Sequence, residues 1–404
     1  MHYEPLNTLY YKSPQTHDGV YLSRFHSEGT VKLPVDIHGQ QAFYCCTSQM
    51  LEMVEHIYRL DKKISEIWEE LPGKSKERHF VSALIEEIMW SNGIEGVHSS
   101  KQELRKAFDA ATERTNRKEK FRGLLEGYMR MLQHDKILVQ FSVDIRNIYD
   151  TAILPDLDAV DAPDGDIFRK GGVSIVTATE KEKHHGILPE SELIKFIDSA
   201  LGYLENNNHS LVSIAVFHYL FGYAHPFYDG NGRISRFLSS LFLSKNLNLL
   251  IGWNMSQTIS ENKKSYYDSF DICNDKRSMG DITPFVLYYL SVVEGSALGI
   301  LKSLDEAKAK LDYYDEVLET ISAGSLSDLS IEILQSLLEV TLFSDKGISL
   351  GGISRYVEVG VATIRACMQN MIIKGYPVVM QRDGKMKLYR LDIPKLDSLA
   401  AQET

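Results

Sequence analysis

Apolar side chains run almost without interruption from His209 to Ala224 (HSLVSIAVFHYLFGYA). A run of that length without proline predicts a buried helix rather than a strand. Pro226 forbids its continuation, so the chain turns at His225. From Arg233 onward, RISRFLSSLFLSK resumes with helical apolar spacing. Upstream, the segment from Val81 to Glu95 starts as an amphipathic helix, with Leu84, Ile85, Ile88 and Met89 on one stripe. Between Asp166 and Leu188, two short β-prone runs flank a charged turn, the pattern of a hairpin. After a turn-like break at Ala323-Gly324-Ser325, Leu326 to Val340 is helical again. Gly351 to Leu391 then predicts a helix, a tight turn near Gly360, a second helix, and a hairpin turned at Asp383-Gly384.

The loop between the two apolar helices concentrates chemistry: His225, Pro226, Phe227, Tyr228, Asp229, Gly230, Asn231, Gly232, Arg233, Ile234, Ser235, Arg236. Gly230 and Gly232 flank Asn231 and supply the φ freedom needed to turn several backbone N–H groups toward one point. Such a nest binds anions, and here it opens onto a helix N-terminus, where orphan N–H groups and the helix dipole also favour phosphate. Arg233 and Arg236 occupy neighbouring positions on one helix face, and guanidinium forks grip phosphate oxygens bidentately. Asp229 is the kind of oxygen ligand that Mg²⁺ takes beside a polyphosphate. His225 is left as the titratable group, able to accept a proton from an attacking hydroxyl near neutral pH. Together these groups suit nucleotide transfer. A calcium loop is excluded, since its fifth position would be Arg233 and its twelfth Ser240, where a carboxylate is required. No G-x-x-x-x-G-K-[ST] phosphate loop occurs either.

Residues 225–236 resemble the H-x-F-x-[DE]-G-N-G-R-x-x-R signature of the Fic (filamentation induced by cAMP) family, with all eight fixed positions matched. Members usually transfer AMP from ATP to a Ser, Thr or Tyr hydroxyl of a protein target and release pyrophosphate. The resemblance implies that His225 is the base, Asp229 the Mg²⁺ ligand, and Gly230, Asn231 and Gly232 the phosphate nest. It further implies that Arg233 holds the α/β-phosphates, that Arg236 holds the γ-phosphate, and that Phe227 anchors the loop in the core. Ser91-Asn92-Gly93-Ile94-Glu95-Gly96 is similar to the family's [ST]-x-x-x-E-[GN] inhibitory motif. There the glutamate pairs with the second signature arginine, which in this chain sets Glu95 against Arg236. In some members the same glutamate positions a water that removes AMP from the modified target. The Asp166–Leu188 hairpin is similar to the family's flap, which holds a target segment by strand addition. Its His184 and His185 are adjacent, so in a strand they face opposite ways and are poorly placed to share a metal. Ser256 to Phe270 resembles the helix that follows the signature helix, often carrying N-[KR]-x-x-YY; Tyr266 and Tyr267 are weak candidates for the adenine, with packing the stronger role for at least one.

The tail resembles a winged helix, with Thr363, Arg365 and Gln369 on its second helix and Arg382, Lys385 and Lys387 on the wing. Between residues 345 and 395 nine Lys/Arg stand against four Asp/Glu, in a chain of net charge −11. DNA contact is therefore expected of the tail alone, with a protein interface as the competing use. At 404 residues, 44% hydrophobic and 25% charged, the chain has material for two or three full cores. The N-terminus lacks a basic and then apolar leader pattern, and no apolar run is long enough to span a bilayer. Cysteines 45, 46, 273 and 367 show no C-x-x-C or zinc spacing, which fits reduced thiols in a cytoplasm.

The expected architecture is mainly α: an N-terminal helical region over 1–110 carrying the inhibitory helix at 81–96, a Fic-type helical bundle over 111–310 with its small β-hairpin flap, and a winged helix-turn-helix over 325–404. The expected function is a self-inhibited protein adenylyltransferase using ATP and Mg²⁺, acting on a protein hydroxyl and on itself, with a homodimer among its assemblies and no membrane. Rival readings are a de-AMPylase, transfer of another phosphate-bearing group such as phosphocholine or UMP, and a DNA-binding regulator.

Overall fold

The structure, a computed structural model, describes residues 3–113, 119–132, 137–176, 182–322, 326–344, 346–384 and 386–403. The break expected at Ala323–Ser325, the turn of the expected flap and Lys385 of the wing lie outside them. The chain divides into two compact units, Met1–Ile64 with Ala83–Ile300 and Ser65–Ser82 with Leu301–Thr404.

The N-terminal region is not helical throughout. Helices α1 (Leu6–Lys12) and α2 (Pro14–Phe25) lead into an antiparallel hairpin of β1 (Thr30–Ile37) and β2 (Gln40–Cys45), and α3 (Ser48–Glu70) follows. The signal for the hairpin was legible: Leu33, Val35 and Ile37 are buried in alternation, and His38-Gly39 turns the chain with φ of 50° and 75°, as a two-residue hairpin turn requires. Next come α4 (Gly73–Ile94), α5 (Lys101–Thr112), α6 (Arg122–Leu132) and α7 (Ser142–Ala152). The expected flap is present as β3 (Ser174–Val176) paired with β4 (Glu182–His185), with Ile175 opposite His184 and Ser174 opposite His185.

Beyond α8 (Glu190–Asn206), α9 (Leu211–Ala224) and α10 (Asn231–Leu243) form the interior of the first unit, with nearly every side chain of both buried. Short α11 (Leu249–Gly252) is followed by α12 (Met255–Glu261) and α13 (Lys263–Asn274), where a single helix was expected. Asn262 breaks it: its backbone leaves the helical region at φ −135° and its side chain accepts the Ser265 N–H, capping a new start. Long α14 (Thr283–Ser322) has a stretch long and apolar enough by composition to cross a membrane. Its Phe285, Val286, Tyr289, Leu290 and Val293 are buried, and Phe285 and Tyr289 lie against His218 of α9, so the stretch serves as core.

The second unit contains α15 (Asp328–Phe343), α16 (Leu350–Tyr356), α17 (Val361–Ile373), the antiparallel pair β5 (Val378–Asp383) and β6 (Met386–Leu391), and α18 (Ile393–Glu403). Ile333, Leu337, Ile353, Ile364, Met368 and Met371 share one apolar core with Leu391 and Leu396. Ile348 bridges Tyr389, so the segment before α16 joins the edge of the hairpin.

Candidate active site

The loop after α9 is built from the inside. His225 caps the helix in the left-handed region at φ 51°, its N–H still bonded to the Phe221 carbonyl at 3.0 Å. That one left-handed residue turns the chain out of the helix before Pro226. Phe227 is fully buried, stacked on Tyr149 at 3.6 Å between ring centres and edge-on to Phe168 at 5.4 Å. Asn231 spends its side chain on the loop itself: Oδ1 accepts the Phe227 N–H at 2.9 Å and Nδ2 donates to the Phe227 carbonyl at 2.8 Å. Tyr149 also donates its hydroxyl to the Asp229 carbonyl at 2.9 Å. Gly230 is at φ 78°, and a side chain there would strike Ile153.

Asp229 is half exposed, with Oδ1 accepting the Gly230 N–H and Oδ2 3.3 Å from Arg233 Nη2. Arg233 itself is buried, and its Nε has no hydrogen-bond partner among the described residues. Arg236, one turn further along α10, faces α4 instead. Its Nε donates to Ser91 Oγ at 2.9 Å and its Nη2 to the Ser91 carbonyl at 2.8 Å. Its Nη1 lies 2.8 Å from Glu95 Oε1, a close charge pair set off the line of a good hydrogen bond. Burial works against the charged guanidinium, yet Glu95, together with Tyr266 and Tyr267, holds Arg236 above its ordinary range.

The end of α4 explains how Glu95 arrives there. The Val97 N–H reaches the Asn92 carbonyl at 2.9 Å and the Gly96 N–H the Gly93 carbonyl at 3.2 Å, with Gly96 at φ 75°. This is the glycine-closed helix end in which a left-handed residue satisfies the last carbonyls. Lys263 Nζ donates to the Ile94 carbonyl, placing a cation at the negative end of the helix. Gly232 matters for the opposite reason: any Cβ there would overlap Glu95 Oε1. The carboxylate therefore lies over the first turn of α10, where the sequence predicted an anion site.

Tyr266 and Tyr267 separate. Tyr266 is buried, its hydroxyl 2.9 Å from His218 Nε2, whose Nδ1 is 2.7 Å from Ser239 Oγ. Burial, and then Arg236, push His218 down to about 3, so this histidine is a neutral core member. Tyr267 is 38% exposed, and burial together with the nearby Glu95 pushes its hydroxyl up to about 12.

Sequence reasoning missed Arg169. Fully buried, it donates from Nε to the His225 carbonyl at 2.8 Å, from Nη1 to Gly171 at 2.7 Å, and from Nη2 to Ile187 at 3.2 Å and Ala224 at 3.3 Å. No carboxylate pairs with it among the described residues, and burial draws it below its ordinary range. One guanidinium thus ties both feet of the hairpin to the turn that carries His225. Tyr228 adds a second tie, accepting the Gly171 N–H at 2.9 Å. Nothing in the local sequence DIFRKGG distinguishes Arg169 from Lys170.

Residues 142–243, from α7 through α10, match the family model described as Fic/DOC family. The chain carries a Fic domain. Fic domain proteins are known to transfer nucleotide or phosphate groups to proteins, and the match supports a transferase-type function for this domain. Among solved structures it is similar to a Fic family protein from Desulfovibrio desulfuricans G20, at 19% identity and a TM-score of 0.53, covering 86% of this chain and 97% of that one. It is also similar to a Fic domain containing signaling protein from Bacteroides thetaiotaomicron VPI-5482, at 20% identity and a TM-score of 0.43, covering 62% and 97%. The first of these likenesses shows the mainly α Fic fold with its small β-hairpin.

Proposed function

We propose that this Fic protein is a self-inhibited protein adenylyltransferase that moves AMP from ATP to a Ser, Thr or Tyr hydroxyl. The observation that carries the reading is the Glu95 carboxylate lying against both Arg236 and Gly232, over the turn of α10 that suits a polyphosphate. A buried Arg233 with an unpartnered Nε beside that turn has a donor left for a phosphate oxygen. Asp229 turns a half-exposed carboxylate outward, and among the described residues no cluster of three metal-ligating side chains accompanies it. A lone carboxylate fits Mg²⁺, which usually takes one or two carboxylates and completes its shell with phosphate oxygens and water. Bound there, Mg²⁺ would neutralise charge on those phosphate oxygens.

In this reading the target hydroxyl oxygen forms a bond to the α-phosphorus while the bond from that phosphorus to the bridging oxygen breaks. His225 takes the hydroxyl proton, and pyrophosphate leaves. Arg233 stabilises the α/β-phosphates. Arg236 is suited to the γ-phosphate, but its fork is spent on Ser91 and Glu95, so ATP must displace the carboxylate to be held productively. Tyr266, hydrogen-bonded in the core, is assigned to packing, and Tyr267 is kept as the candidate neighbour of the base.

The test is intact-protein mass spectrometry of Glu95→Gly with ATP and Mg²⁺, against wild type and Glu95→Gly/His225→Ala. An AMP adduct on the single variant alone is expected. Equal adducts on wild type would remove Glu95 as a brake, and no adduct on any protein or target would reject adenylyl transfer.

A further inference from the structure

We propose that the second unit binds duplex DNA, with α17 in the major groove and the β5–β6 hairpin along the backbone. Transfer chemistry leaves this part of the chain without a role. Its elements occur in the order helix, bridged extended segment, helix, turn, helix, hairpin, because Ile348 pairs with Tyr389 ahead of α16. The turn between α16 and α17 is fixed: Glu358 has φ 54°, Ser354 Oγ donates to the Val359 carbonyl at 2.6 Å, and the Val359 N–H returns to Ser354 at 3.2 Å. A rigid turn of this kind holds a helix out from a domain as a probe.

α17 has one buried stripe, Ile364, Met368 and Met371, with Cys367 half-buried beside it, and its other residues are exposed. Along the free side stand Ala362, Thr363, Arg365, Ala366, Gln369 and Asn370, all exposed. Two alanines let the helix backbone approach a groove floor closely, while Arg, Gln and Asn are the side chains whose forks match guanine and adenine edges. No Asp or Glu occurs between Val359 and Arg382, which keeps the face free of groups that a polyanion would repel.

The hairpin supplies the second line of contacts. Arg382 and Lys387 are exposed and sit directly opposite each other across the ladder, a like-charge pairing that weakens a sheet on its own and that an anion relieves. Lys387 also lines a groove of 420 Å³ with Arg365, Gln369 and Tyr389, so the cations of the helix and of the hairpin meet at one place. Nine cations against four carboxylates over 345–395, within a chain of net −11, restrict the duplex to this stretch of the unit. Exposed Ile373, next to Ile372 on the groove wall, is the feature that favours a protein partner instead, and titration onto duplex separates the two.

Full-length protein is titrated onto a fluorescent random-sequence duplex at low and at physiological salt, with anisotropy as the readout. Affinity should fall steeply as salt rises, and Arg365→Ala/Lys387→Ala should weaken it by about tenfold with a shallower salt slope. After selection from a random pool, Gln369→Ala should relax preference at one base position and leave non-specific affinity in place. All these residues are surface-exposed, so melting curves of the variants should overlay wild type. Absence of duplex binding at low salt, binding that the double variant does not weaken, or equal affinity for single strands would each overturn the proposal.

Discussion

Arg169 puts a charge into a fully buried site and satisfies it with four main-chain carbonyls rather than a carboxylate. Planar geometry is what makes this work, since a guanidinium fork reaches acceptors on several sides at once. Lysine has three donors at a single point and would lose at least one of the four bonds. Arg169→Lys should therefore cost about 2 kcal/mol in a denaturant melt. It should also slow transfer in the Glu95→Gly background, because the turn bearing His225 loses its tie. Unchanged melting and rate would mean that the loop holds itself. In the proposed mechanism His225 acts on the proton rather than on the nucleotide, so His225→Ala should abolish transfer while calorimetry still finds ATP bound as tightly as in the parent.

At the scale of elements, α4 and α10 are joined through one side chain, Arg236, with Ser91 and Glu95 as its two holders. Ser91 contributes both a hydroxyl and a carbonyl, and only the hydroxyl can be removed by mutation. Ser91→Ala leaves the Arg236 Nε unpaired in a buried place, costing about 1–3 kcal/mol and loosening the guanidinium. Transfer should rise, by less than in Glu95→Gly because the carboxylate stays. A rate as low as wild type would show that Glu95 alone sets the brake. Gly96→Ala tests the same contact from the helix end. Its left-handed φ of 75° penalises a Cβ by about 1 kcal/mol, shifting Glu95 and raising self-modification by an amount that mass spectrometry can rank against Ser91→Ala.

For the whole molecule the informative group is Glu87. It is buried on α4, where it accepts the Ser256 N–H at 2.9 Å, the Ser256 hydroxyl and, at 3.4 Å, the Tyr128 hydroxyl. Burial outweighs these donors and raises it from 4.5 to about 7. A carboxyl whose folded pKa is raised binds its proton more tightly in the folded state, so its contribution to stability is full below pH 4.5 and is lost as pH rises through about 7. Wild type should lose thermal stability relative to Glu87→Gln across that window, by an amount on the order of 3 kcal/mol. Parallel melting profiles of the two proteins through the same window would mean that Glu87 is ionised throughout.

Much of this was legible in the chain itself. Periodicity and turn residues determined α9, α10, the β5–β6 pair and the β3–β4 pair, because each depends on neighbours a few positions away. The residues around His225 could be singled out for the same reason: those proposed as base, metal ligand, nest and phosphate-holding arginines lie within one short loop. What tertiary structure decided were the matters of distance. It buried Tyr266 on His218, split the helix at Asn262, and laid Glu95 over Gly232 and Arg236, about 140 positions away in sequence. It also turned an unremarkable Arg169 toward the carbonyls of His225 and Ala224. Local sequence sets which backbone states are cheap, but a buried charge takes its meaning from partners that only the folded chain brings within hydrogen-bond range.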